Sequence, residues 1–126
     1  MSEPLRGVVV SHAAVAQSLV AAVGAITGLA DALVPVSNEG CDAEALRERV
    51  AAAAGDGPAV LFVDLPGGSC LTSAVRLAQG RPDRAVVTGV NLAMLLEFVF
   101  HRDLDPAAAA RRAAEAGGRA IQARVA

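Results

Sequence analysis

The chain has 126 residues, 54% hydrophobic and 19% charged, with a formal net charge of -2; this suits one domain that buries roughly two thirds of its unfolded surface. No apolar run approaches the span of about 20 residues that crosses a membrane, and the 11 basic residues are scattered arginines without the clustering of a nucleic-acid footprint. The absence of lysine removes P-loop and Schiff-base chemistry, three Phe without Trp or Tyr make no stacking platform, and Cys41 and Cys70 form no Cys-x-x-Cys pair for zinc or redox work.

Arg6 to Val10 is a short Val-rich run typical of a strand buried on both faces. No basic segment, apolar stretch and cleavage site precede it, so a cytoplasmic location is expected. Ser11 and His12 follow, and Ala13 to Ile26 has helical spacing. Ala32 to Val36 is the second strand, with Ser37 and Asn38 at its end. Asp42 to Ala54 reads as a helix, with Leu46 and Val50 four apart. Ala59 to Val63 is the third strand, and Asp64 to Ser69 lead from it into a helix over Leu71 to Gln79. Arg84 to Thr88 is the fourth strand. Asn91 caps a helix reaching Phe100, and Asp105-Pro106 starts a fifth helix that Gly117-Gly118 should end. In the tail, Arg119 to Val125, the residues Ile121, Ala123 and Val125 alternate with Ala120, Gln122 and Arg124, which fits an edge strand, with helix as the competing reading.

Strands and helices in alternation predict one α/β unit over residues 1–126: a three-layer sandwich with a doubly wound, mainly parallel four-stranded sheet and a C-terminal antiparallel edge strand that a dimer could exchange. In such folds functional groups gather past the carboxyl ends of the strands, where strand order reverses. His12 stands there after strand one. Neutral imidazole attacks a phosphoryl group without a metal, and a carboxylate on Nδ1 would leave Nε2 as the attacking atom. Asp64 is the candidate orienter if strands one and three are neighbours. Gly67, Gly68 and Ser69 at a helix start could cradle the anion. Each of these features alone has a plain structural explanation, as a satisfied histidine, a turn cap and a loop. His101-Arg102-Asp103 matches a kinase loop in letters only, and Gly67-Gly68-Ser69-Cys70-Leu71 lacks the second glycine of a nucleophile elbow.

Ser11-His12, Leu61 to Ser69 and Thr88 to Glu97 together resemble the mannose-type enzyme IIA domains of the phosphoenolpyruvate-dependent sugar phosphotransferase system, over essentially the whole chain. The resemblance implies a phosphohistidine carrier without cofactor or metal, in which His12 takes phosphate from the phosphocarrier protein HPr and gives it to a IIB protein. It places Asp64 on the histidine and Ser69 near the site, and implies a homodimer exchanging C-terminal strands. Gly67, Gly68, Thr72 and Asn91 complete the expected phosphate-binding or supporting set. Cys70, Leu71 and Thr72 stand where the family usually has Pro, an aromatic and Asn, and Ala93 replaces a usual Pro. The phosphotransfer subunit serving dihydroxyacetone kinase is a related branch sharing the Val-Ser-His opening. A regulatory or protein-interaction module of the same fold is the rival reading, and a hydrolase the third.

Overall fold

The computed structural model describes residues 4–125. Its strands are β1 (Arg6–Ser11), β2 (Leu33–Ser37), β3 (Ala59–Val63) and β4 (Arg84–Thr88), all parallel in the order β2-β1-β3-β4. The two central strands carry the most continuous apolar sequence because helices cover both of their faces; Val8, Val9, Val10 and every residue of β3 are buried.

Successive side chains of a strand point to opposite faces, and two separate cores result. Val9, Val60 and Phe62 face α1 (Val15–Thr27), α4 (Leu92–Val99) and α5 (Pro106–Arg119). Val8, Val10, Leu61 and Val63 face α2 (Ala43–Ala54) and α3 (Gly68–Ala78). Phe62 meets Phe98 edge-on, with ring centroids 5.1 Å apart and planes at 74°; each such buried side chain contributes about 1.5–3 kcal/mol of transfer free energy. Asp42, Asn91 and Asp105 cap α2, α4 and α5 by accepting the N–H groups of Ala45, Met94 and Ala108.

Helix starts differ from the sequence reading for local backbone reasons. Helix α1 begins at Val15 because Ala13 takes a left-handed φ of 49°. Helix α3 begins three residues early, at Gly68, whose φ of 86° is open to glycine at no steric cost. Ala32 belongs to a 3-10 turn, Ala30–Ala32, before β2.

The C-terminal expectations are corrected. Gly117-Gly118 does not end α5, which runs on to Arg119. Gly117 is instead a contact residue: a Cβ there would lie 2.8 Å from Met94 Cε and 3.2 Å from Asn91 Oδ1, so its small size lets α5 lie close on α4. Residues 121–125 join no strand among the described residues, and Ile121 and Val125 stay 76% and 91% exposed. Among the described residues the sheet is therefore purely parallel, without the antiparallel edge strand.

The chain passes from β1 outward to β2, then crosses back to β3 on the other side of β1. Strand order thus reverses between β1 and β3, whose carboxyl ends carry His12 and Asp64.

Candidate functional site

His12 sits on a turn pinned from both sides. Ser11, fully buried, accepts the Ala16 N–H at Oγ (2.7 Å) and so caps the start of α1, where Ala14 supplies no side-chain cap. The Asn38 N–H donates to Ser11 O (3.0 Å), and the Asn38 side chain returns Oδ1 to the Ala13 N–H (3.3 Å). These bonds hold Ala13 in a conformation that non-glycine residues seldom adopt. Asp64 continues the β1–β3 ladder by one step, its N–H donating to Val10 O (3.3 Å), which brings its carboxylate beside His12.

Asp64 Oδ2 accepts two hydrogen bonds from His12, from the backbone N–H at 2.9 Å and at ring Nδ1 at 2.8 Å. The imidazole side chain is 45% exposed and the carboxylate 14%. Burial alone would raise the Asp64 carboxyl, but the backbone and ring hydrogen bonds of His12, with its charge, outweigh it and hold the group below its ordinary value. An ionised Asp64 only accepts, so Nδ1 carries the proton of this contact, and in the neutral ring Nε2 then holds the free lone pair. The strand-order inference that joined these residues is met, since β1 and β3 are paired.

Gly67 caps α3 with its backbone alone, in extended conformation, so no side chain competes for the first-turn N–H groups of Gly68 and Ser69. Ser69 is exposed and, with Thr72, Arg47 and Arg76, lines a groove of about 410 Å³ between α2 and α3. Thr72 donates its hydroxyl to Gly68 O (3.1 Å), tightening the same turn. Asn91 is engaged at both ends, capping α4 through Oδ1 and donating Nδ2 to Gly117 O (3.1 Å), so its role is to join α4 to α5. His101 lies at the end of α4 with Nδ1 2.9 Å from Glu97 O, away from the other candidates.

Three neighbours of the site were not assigned to it from sequence. Ser11 and Asn38 shape the turn, and only their place at strand ends hinted at it. Cys70, fully buried on the first turn of α3, brings its sulfur to the pair: one donor atom from each of His12, Asp64 and Cys70 lies within 4.8 Å of the others. Burial pushes the Cys70 thiol up, and the Asp64 charge adds to the effect.

The sequence model described as PTS system fructose IIA component matches residues 7–115. The chain belongs to this family. Among solved structures, the IIA component is similar to the mannose/sorbose specific IIA subunit of the phosphotransferase system from Enterococcus faecalis, with a TM-score of 0.85 and 26% identity over 98% of this chain and 97% of that one. The phosphotransferase system component EIIA of Streptococcus agalactiae shares the fold, with a TM-score of 0.86, 19% identity, and 94% and 96% of the two chains covered. So does the PTS IIA protein associated with the fucose utilization operon of Streptococcus pneumoniae, with a TM-score of 0.72, 16% identity, and 98% and 96% covered. No curated protein matches the sequence. The chain is thus a phosphotransferase-system component of IIA type, and none of its helices among the described residues is long and apolar enough to cross a membrane.

Proposed function

We propose that this IIA component carries a phosphoryl group on His12, taking it from the phosphohistidine of HPr and passing it to a separate IIB protein in the cytoplasm. The observation that carries the reading is the 2.8 Å contact between His12 Nδ1 and Asp64 Oδ2 on a half-exposed ring. In the forward step His12 Nε2 attacks phosphorus, the P–N bond to the donor imidazole breaks, and its electron pair returns to the donor ring. The His12 ring becomes cationic while its Nδ1–H stays on Asp64, whose negative charge stabilises it without taking the proton. The step needs no metal, because donor and product are both phosphoimidazoles.

The phosphoryl oxygens then lie against the N-terminus of α3, where the Gly68 and Ser69 N–H groups and the helix dipole favour an anion. Thr72 supports that turn through its bond to Gly68 O. Asn91 supports it only from a distance, by fixing α4.

Leu71 and Thr72, which replace the aromatic and Asn usual in the resembling family, favour one second reading: phosphorylation used as a regulatory signal without onward transfer. The exposed apolar tail residues Ile121 and Val125 support a homodimer in which residues 119–125 add to a partner's free sheet edge. Truncation after Gly118 is expected to weaken dimerisation in sedimentation; an unchanged dimer would refute the exchange. For the main reading, incubation with phosphoenolpyruvate, enzyme I and HPr is expected to label the protein with acid-labile phosphate, and His12→Ala to abolish the label. Label retained in that variant would remove His12 from the role, and transfer to no IIB protein would favour the regulatory reading.

A further inference from the structure

Phosphoryl transfer as proposed leaves Cys70 without a task, yet its thiol is the third member of a compact donor cluster. We propose that His12, Asp64 and Cys70 form a site for a soft divalent cation, zinc foremost, and that the metal and the phosphoryl group exclude one another. The binding stands on geometry alone; its consequence for transfer rests on the function proposed above.

One nitrogen, one oxygen and one sulfur donor suit zinc, which is borderline in softness and takes four ligands. The three donor atoms lie within 4.8 Å of one another. Bonds of about 2.0–2.3 Å in a tetrahedron put ligand atoms roughly 3.5 Å apart, so closure asks for shifts of about 1 Å, within the reach of side-chain torsions. The half-exposed His12 leaves the fourth position open to water.

A second, independent observation points to a ligand. Asp64 Oδ1 is buried and finds no hydrogen-bond donor among the described residues, although Oδ2 of the same carboxylate accepts two bonds. A buried carboxylate oxygen without a partner is costly, and a cation bound there would relieve it. On binding, the thiol proton leaves to solvent and the sulfur coordinates as thiolate. Either imidazole nitrogen gives the same outcome: coordination by Nε2 occupies the attacking atom, whereas coordination by Nδ1 displaces the proton that the ring donates to Asp64 in their hydrogen bond.

The test uses the full chain, reduced and dialysed free of metal. Titration with cobalt(II) is expected to produce a thiolate-to-cobalt charge-transfer band that zinc bleaches, that Cys70→Ser abolishes, and that Cys41→Ser leaves in place. Zinc affinity, read by competition with a chromophoric chelator, should fall more than about 100-fold in Cys70→Ser, beyond the effect of losing a merely supporting hydrogen bond. Equal affinities in folded wild type and Cys70→Ser would overturn the site, as would a wild-type cobalt spectrum without the thiolate band. Stoichiometric zinc should also block labelling of the wild type by phosphorylated HPr, but not that of Cys70→Ser, each relative to its own metal-free rate. Undiminished labelling of zinc-loaded wild type would overturn the exclusion. Absence of labelling without metal would instead count against phosphoryl transfer and leave the cobalt result standing.

Discussion

At the amino end of the sheet, Arg6, Arg81, Arg84 and Arg102 donate to the backbone carbonyls of Ala53, Asp56, Gly55 and Leu5. At the carboxyl end, His12 commits Nδ1 to Asp64 and leaves Nε2 free, while the start of α3 offers N–H groups that no capping side chain claims among the described residues. Both ends are rich in polar groups. One uses them to tie loops together, and the other holds donors and a lone pair in reserve. The difference lies in where the hydrogen bonds go, so chemistry is sought where a well-positioned group keeps an open valence.

Substitutions at the two ends should therefore separate activity from stability. The largest effect is expected from His12→Ala, which removes the attacking nitrogen and should bring labelling to background with little change in melting temperature. Asp64→Asn comes next: the charge that stabilises the cationic ring is lost, and transfer from phosphorylated HPr should slow by about 100-fold in rapid-quench kinetics. Transfer at the wild-type rate would show that the ring is held by something other than Asp64.

The opposite end should behave in the opposite way. Arg84→Met deprives the Gly55 carbonyl of its buried partner, and urea denaturation should show a loss of about 1–3 kcal/mol at an unchanged transfer rate. Gly117→Ala sets a methyl group 3.2 Å from Met94 Cβ and Asn91 Oδ1, but the Met94 end can swing aside and the helix gains an alanine, so stability should change by less than about 1 kcal/mol while labelling persists. A fall in transfer rate for either folded variant would blur the distinction between the two ends.

The smallest effect concerns acid. The folded Asp64 carboxyl lies below its ordinary value of 3.8. Its contribution to stability is therefore fully present above that value and is lost as pH falls through the lower folded one. Wild-type stability should drop more steeply than that of Asp64→Asn below about pH 4, and parallel acid limbs would contradict the pairing.

Much of this arrangement was legible in the chain. Runs such as Ala59 to Val63 are unbroken because both faces of the sheet are covered, and that continuity marks parallel strands. Once the strands were ordered, His12 and Asp64 fell at neighbouring ends. What could not be read depended on contacts between distant segments. Gly117 resembles a helix stop, yet it is held in the helix by its fit against Met94 and Asn91, more than 20 residues away in the chain. The turn after β1 owes its shape to Asn38, which no local pattern ties to Ala13. The tail alternates in sequence, but a strand also needs a neighbour, and residues 121–125 find none among the described residues.

Which nitrogen of which histidine carries phosphate decides the chemistry of the site. Nitrogen-15 and phosphorus-31 NMR of the phosphorylated protein, with labelled histidine, reads this directly. The expected spectrum shows the phosphorus coupled to Nε2 of His12, with Nδ1 protonated and hydrogen-bonded. Phosphorus on Nδ1 of His12, or on His101, would contradict it.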